Sequence, residues 1–332
     1  MPGIRDRPVL LTGATGFVGG ALALVLEADG VPLRCASRRP DDARRAAPER
    51  TWVGLDLDQP DTIGPALEGC SAAIFLVHSM GDGPDYVDKE RRSAEAFARA
   101  AEAAGIERVV YLGGVRPQGE PSRHLLSRLE TGRILRNGAV PCVEIRAGMI
   151  IGAGSESWRI VRDLAMRLPL QLLPSWLQSR SQPIAIDDIC VALAYALEMP
   201  LPAGSLWLDA PGPETLSAQD ILRRVGSLAG IRPVQLPIPI LSPGLSSWWL
   251  RLITRADFAI ARELVHGLSH DLLAADDGVW RRLPDHERMT FDEAARRALA
   301  AEADTLRQRD RLFEGVVRRL MGGRIVGGRT ES

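Results

Sequence analysis

Residues 8–30 read PVLLTGATGFVGGALALVLEADG. Val9, Leu10 and Leu11 form a short apolar run that stops at Thr12-Gly13, and from Phe17 onward apolar residues recur at helical spacing until Gly30 ends the segment. The order is strand, glycine turn, helix. Gly13, Gly16 and Gly19 give a T-G-x-x-G-x-x-G loop, whose missing side chains let the backbone turn tightly and approach a pyrophosphate at a helix N-terminus. Thr12, Thr15, Phe17 and Val18 complete this candidate cofactor loop. An ordinary glycine-rich turn could carry the same three glycines, but a strand-to-helix junction is where the cofactor reading has its physical reason.

The next segments alternate in the same way. Val31–Ser37 reads as a second strand, Thr51–Leu57 as a third, Ala72–Val77 as a fourth and Ile106–Leu112 as a fifth. Helical stretches lie between them, a short one around Asp61–Gly69 and a long Ala-rich one from Tyr86 to Gly105. Such repeated strand-helix units predict an α/β fold, a Rossmann-like doubly wound parallel sheet. In such sheets ligands bind at the carboxyl ends of the strands, which nominates Val77 and His78 after the fourth strand. After the second strand, an NAD-selective site places an acid about 20 residues past the glycine loop to hold the ribose. Here the chain reads Ser37-Arg38-Arg39-Pro40, with no acid. Arg38 and Arg39 therefore suit a 2′-phosphate and predict NADP(H), with NAD(H) as the alternative; two solvated loop arginines remain the plain reading.

Composition narrows the classes. The 332 residues are 45% apolar with a net charge of -1, which supports a substantial core and gives no electrostatic footprint for nucleic acid. No apolar run reaches membrane-spanning length and the N-terminus has no signal-peptide pattern, so neither a membrane span nor secretion is expected. Cys35, Cys70, Cys142 and Cys190 lack metal-ligand spacing and read as buried thiols in a reducing cytoplasm, with no metal site. The expected partners are a small-molecule substrate and, as an allowed assembly, a homodimer.

The glycine spacing, one residue wider at its first interval than G-x-G-x-x-G, resembles the short-chain dehydrogenase/reductase superfamily, in particular its extended and atypical branches. The stretches LVHSM at 76–80, YLGG at 111–114 and HLLSR at 124–128 point further, to an atypical group of NAD(P)H-binding or NmrA-like proteins that includes a subunit of mitochondrial complex I. The resemblance covers about residues 8–211. It implies that Asp56 and Leu57 contact the adenine, and that Arg146-Ala147-Gly148, similar to an R-P-G segment, places Ala147 across the nicotinamide. It also implies that Asp187 or Asp188 of QPIAIDDI caps the following helix.

The sequence departs from the family's catalytic pattern in three places. Gly113 and Gly114 stand where a Ser or Thr is usual, His124 where Tyr is, and Arg128 where Lys is. No substitute lies nearby, because Lys89 is the sole lysine and none of Tyr86, Tyr111 and Tyr195 has a lysine four residues on. His124, Ser127 and Arg128 are the remaining catalytic candidates: four-residue spacing puts His124 and Arg128 on one helix face, and an imidazole can donate a proton near neutral pH. The plainer alternative leaves Arg128 only positioning cofactor and His124 on the helix surface.

Two functions stay open: an NADP(H)-dependent reductase of a small apolar carbonyl or enone, or a non-catalytic NADPH-binding sensor or structural protein. The expected division is a dinucleotide-binding domain over 1–230 and a smaller, mostly helical substrate-side portion over 231–332, partly interleaved with it. Within the C-terminal third, an amphipathic helix begins near Ser155 and gives way to a Pro-bounded apolar loop, LPLQLLPSWL. IRPVQLPIPI at 231–240 suits an extended edge strand, and helices are expected over Thr290–Asp304 and Asp310–Met321. Trp248-Trp249 reads as domain packing and 322–332 as a loose tail.

Overall fold

The structure, a computed structural model, describes residues 4–78, 85–119, 121–168, 170–200, 204–231, 234–238, 270–305 and 308–320. The Trp248-Trp249 pair, the tail from 322 and Ser79-Met80 fall outside the described residues.

The strand predicted from VLL is β1 (Val9–Leu11), all three residues being fully buried. It is followed by α1 (Phe17–Ala28), β2 (Leu33–Ser37), α2 (Pro40–Ala46), β3 (Trp52–Gly54), α3 (Ile63–Leu67) and β4 (Ala72–Phe75). Then come α4 (Tyr86–Ala103), β5 (Arg108–Gly114), α5 (Arg123–Asn137), β6 (Cys142–Ala147), β7 (Ile150–Ile151), α6 (Glu156–Arg167) and β8 (Leu170–Pro174). The chain continues through β9 (Arg180–Ser181), β10 (Ile184–Ala185), α7 (Ile186–Glu198), β11 (Leu206–Asp209), β12 (Leu216–Ser217), α8 (Ala218–Leu228) and β13 (Val234–Ile238). Two helices, α9 (Phe291–Thr305) and α10 (Gln308–Leu320), lie at the C-terminal end.

Seven strands form one parallel sheet in the order β11-β6-β5-β4-β1-β2-β3. The chain winds outward from β1 through β2 and β3, then restarts at β4 and winds the other way. This doubly wound arrangement opens its crevice at the carboxyl ends of β1 and β4. Leu22 and Leu26 of α1 join Ile189, Leu193 and Leu197 of α7 in one core cluster; Leu67, Phe97 and Leu135 from α3, α4 and α5 belong to a second. Burial on both faces explains why the strands read as continuous apolar runs rather than alternating ones.

A third cluster lies apart from these two. It gathers Trp158 and Ala165 of α6, Ile221 and Val225 of α8, and Phe291, Ala295 and Ala298 of α9. Two local expectations are corrected there. The LPLQLLPSWL loop contains strand β8, which pairs in parallel with β13; its prolines do not block this two-stranded ladder, since proline is tolerated on an edge. Neither Asp187 nor Asp188 caps α7: the N-cap is Ala185, without a side-chain bond. Asp187 instead pairs with Arg297 at 3.0 Å, while Asp188 accepts from the Met289 amide at 3.0 Å and contacts His286 Nε2 at 2.8 Å. Both carboxylates thus tie α7 to the C-terminal region. All four cysteines are free and buried, and burial pushes the Cys35 thiol up to about 11, which keeps it protonated and unreactive.

Candidate cofactor and substrate site

The β1–α1 corner is built around close backbone contact. Gly13 has φ +65, and a Cβ on Gly19 would lie 2.1 Å from the Gly13 carbonyl oxygen, a distance no side chain can occupy. Gly16 differs: a Cβ there would meet only the Gly13 oxygen, at 3.1 Å. Gly16 is also the N-cap of α1 and no side chain caps it. The first-turn N–H groups of α1 are therefore left to an anion from outside the chain, and the bare loop lets that anion come close. A pyrophosphate fits this cradle.

From the loop, one continuous cavity of about 690 Å³ runs across the carboxyl edge of the sheet. Gly13, Thr15, Gly16, Phe17, Val18 and Gly19 line it, as do Arg38 after β2, Asp56 and Leu57 after β3, and Val77 and His78 after β4. Gly113 of β5, His124 and Arg128 of α5, and Ala147 of β6, also expected at the site, line it as well. Among the described residues Arg38 has no ion-pair partner, whereas Lys89 at the same end pairs with Asp58 at 2.7 Å.

Three expected residues are not brought to the cavity. Thr12 is fully buried, its hydroxyl donating to the Ile74 carbonyl at 3.1 Å and accepting from the Leu76 amide at 2.9 Å, so it pins β1 to β4 instead of meeting ligand. Arg39 points outward, 84% exposed, with Asp42 3.9 Å away. Ser127 is buried and its hydroxyl donates to the Glu90 carboxylate. The helical turn that sets His124 and Arg128 on one face turns Ser127 toward α4, which removes it as a proton donor.

At the β5 end a side chain is crowded most at Gly113, where the neighbour is a carboxylate held by two arginines. A Cβ on Gly113 would fall 2.4 Å from Glu144 Oε1, and one on Gly114 would fall 2.6 Å from Leu125 Cδ1. Glu144 itself is fully buried, held by Arg136 Nε at 2.7 Å and Arg146 Nε at 3.0 Å. The missing serine thus has a packing reason.

Arg128 ties together the ends of β4, β5 and α5. Its Nη2 donates to the Leu112 carbonyl at 2.5 Å and its Nη1 meets His78 Nε2 at 2.8 Å, while Tyr111 donates to the Arg128 carbonyl at 3.1 Å. A guanidinium cannot accept a hydrogen bond, so His78 Nε2 carries the lone pair and His78 holds its proton on Nδ1. Burial first, then the charge of Arg128 and the neighbouring His124, hold the His78 pKa well below 6.5. His124, 8% exposed, is pushed down to about 3, by burial and then by Arg128. Both imidazoles are neutral near pH 7. Two buried nitrogens, His124 Nδ1 and Arg128 Nε, have no hydrogen-bond partner among the described residues.

The far end of the cavity is walled in part by the amphipathic helix expected from Ser155 onward, a segment whose apolar face suits either covering a substrate or plain core packing. Leu125, Met149, Ile150, Ile160, Val161 and Leu272 give it an apolar wall, with Ser157 as a polar point. Ser155 caps α6, accepting from the Trp158 amide at 3.3 Å and donating to the Ile150 carbonyl at 2.8 Å. With that proton committed, the 3.0 Å contact between Ser155 and Ser157 is a donation from Ser157. The capping pattern at Ser155 was the readable signal for this wall; Leu272 has none, since only the tertiary fold delivers it. Among the described residues no group of His, Cys, Asp and Glu could hold a metal ion, and no helix is long and apolar enough to cross a membrane.

Residues 13–137 match a family model described as NAD(P)H-binding. Ceramide reductase of Caulobacter vibrioides is 28% identical over 271 residues, 78% of this chain and 84% of that protein. Auxiliary protein GraX of Staphylococcus aureus is 28% identical over 122 residues, 35% of this chain and only 39% of that protein's length. The fold is shared with the NADPH-dependent quinone oxidoreductase QOR2 of Escherichia coli, solved with NADPH: TM-score 0.68 and 18% identity, covering 86% of this chain and 98% of that one.

Proposed function

Starting from an NAD(P)H-binding domain over residues 13–137 on a short-chain dehydrogenase/reductase fold, we propose that the protein is an NADP(H)-dependent reductase of a small apolar carbonyl or enone. The observation that carries this reading is the continuity of the cavity. It begins at the glycine cradle and ends against Met149, Ile160, Val161 and Leu272, so one space joins a phosphate cradle to an apolar wall. The comparisons agree in kind, since ceramide reductase and a quinone oxidoreductase are named for reductive chemistry on apolar molecules. Arg38, without an acid beside it in the turn after β2, supports NADPH over NADH.

Bound NADPH supplies the hydride. The chain supplies position and charge. Arg128, fixed by Leu112 and His78, places a permanent positive charge where negative charge develops on the substrate oxygen, an effect worth most in a site shielded from water. His124, with a pKa of about 3, is protonated in a fraction on the order of 10⁻⁴ of molecules at pH 7. It therefore acts as a neutral hydrogen-bonding group rather than an imidazolium acid, and water delivers the proton. The buried free thiols suit a reducing cytoplasm.

A second reading is an NADPH-binding sensor or structural protein without turnover. One observation favours it: two N–H groups of Arg128 are already engaged by protein. The deciding experiment measures NADPH oxidation across a panel of ketones, enones and quinones, for the wild type and for Val161→Trp, which fills the apolar end. The reductase reading expects turnover that Val161→Trp removes while NADPH affinity stays within about twofold. Absence of turnover across the panel, with normal NADPH binding, overturns it for the sensor reading.

A further inference from the structure

Helix α10 is amphipathic in the reverse of the usual sense. Its inward face carries Asp310, Glu314 and Val317, and both carboxylates are drawn into a buried ionic cluster on α6. Arg162 Nη2 meets Glu314 Oε2 at 2.7 Å and Arg167 Nη2 meets Asp310 Oδ1 at 2.9 Å, the Arg162 side chain being only 2% exposed. The outward face carries Leu312, Phe313 and Val316, exposed by 66%, 51% and 56%. Arg311 and Arg319 are exposed with them. Every carboxylate of α10 is therefore turned inward and neutralised, and what faces outward is apolar and basic.

That arrangement is costly unless it is used. Three large apolar side chains in adjacent turns make a contiguous exposed patch, and such patches mark interaction surfaces. The sequence beyond α10, residues 321–332, adds Arg324 and Arg329 against a single acid, Glu331. An aliphatic and aromatic strip flanked by arginines and cleared of carboxylates matches the interface of a bilayer bearing anionic lipid. We propose that α10 lies on the surface of an anionic membrane, with Leu312, Phe313 and Val316 entering the headgroup boundary and Arg319 facing lipid phosphate. The ionic cluster joins this helix to α6, whose Ile160 and Val161 line the apolar end of the cavity. Docking therefore brings the substrate wall to the phase in which apolar molecules concentrate.

The test is flotation of the full chain with vesicles of phosphatidylcholine alone and of equal parts phosphatidylcholine and phosphatidylglycerol, at low and high salt. It requires no turnover, so it is independent of the reductase reading. The wild type is expected to float with anionic vesicles at low salt and much less with neutral ones. The double substitution Leu312→Gln, Phe313→Gln should reduce partitioning about tenfold or more. Arg319→Glu should weaken it further at low salt than at high salt. An unchanged thermal midpoint in each variant separates lost docking from lost folding. The proposal is overturned by no flotation with either vesicle, by equal flotation of wild type and double variant, or by a wild-type dimer in sedimentation that the double variant dissociates, which would make a second copy the occupant.

Discussion

The two ends of the cavity are held open by opposite means. At the β1–α1 corner the geometry comes from atoms that are absent: Gly19 could carry no Cβ because the Gly13 carbonyl would be 2.1 Å away, and Gly16 leaves its side toward the cavity bare. At the α5 end it comes from polar side chains held where water does not reach, with Arg128 tying His78 to Leu112 and His124 kept neutral by burial. The first end depends on backbone and tolerates no added atom. The second depends on charge and tolerates changes of shape better than changes of protonation.

This contrast is broken or sharpened first at the glycines, where the largest effect is expected. Gly19→Ala should cost about 3 kcal/mol or more in stability, since the clash is with backbone that cannot rotate away. Gly16→Val should leave the fold nearly intact yet abolish NADPH binding, because its side chain would enter the space an anion needs. Urea unfolding and calorimetric titration of both variants check the pair. Equal stability losses would mean that the loop is one packing unit and that the distinction between its glycines is unfounded.

At the opposite end, Arg128→Met should lower the single-turnover hydride-transfer rate about 10²-fold, the usual worth of one electrostatic partner of a developing oxyanion. His124→Ala should lower it by less than about tenfold, because a neutral imidazole contributes one ordinary hydrogen bond. A fall of about 10²-fold in His124→Ala would restore it as the proton donor and contradict the direction of its pKa shift.

The sequence made the first end far more legible than the second. A glycine that must be glycine leaves the same mark in every strand-turn-helix corner, so Gly13, Gly16 and Gly19 could be read without neighbours. Ser127 could not: a hydroxyl in the right stretch looks catalytic until α4 brings Glu90 against it. Arg38 and Arg39 were indistinguishable as letters, and only the turn into α2 aims one at the cavity and the other at solvent. The strand in LPLQLLPSWL was hidden because its partner, β13, comes from a segment more than sixty residues later. Contacts set by long-range packing leave no local pattern.

The Arg38 and Arg39 pair gives the next prediction. Arg38→Ala should weaken NADPH binding by about 1.5–3 kcal/mol through loss of a charge-assisted phosphate contact, and leave NADH binding unchanged. Arg39→Ala should change neither, its guanidinium being 84% exposed beside Asp42. Titration of both nucleotides against the three proteins decides it, and equal wild-type affinity for NADPH and NADH would remove the 2′-phosphate role.

The smallest effect expected is on stability in mild acid, and it isolates the burial of His124. In the unfolded chain this imidazole takes a proton near pH 6.5, whereas in the folded chain it does so only near pH 3. Below pH 6.5 the unfolded state thus binds more protons, and folding stability falls as pH falls, by about 1.4 kcal/mol per unit and about 2 kcal/mol by pH 5 for this group. The stability it permits is fully present above pH 6.5 and is lost downward toward pH 3. His78 shifts in the same direction, so the wild type should lose more than one histidine's share. His124→Leu, which keeps an apolar side chain in place and removes the titration, should lose less stability between pH 7 and pH 5 than the wild type, by about 2 kcal/mol. Comparing differences between two pH values, rather than absolute stabilities, cancels any packing change the leucine introduces. Equal acid losses in the two proteins would mean that His124 meets solvent, and that the α5 end of the cavity is as open to water as the rim around Arg38.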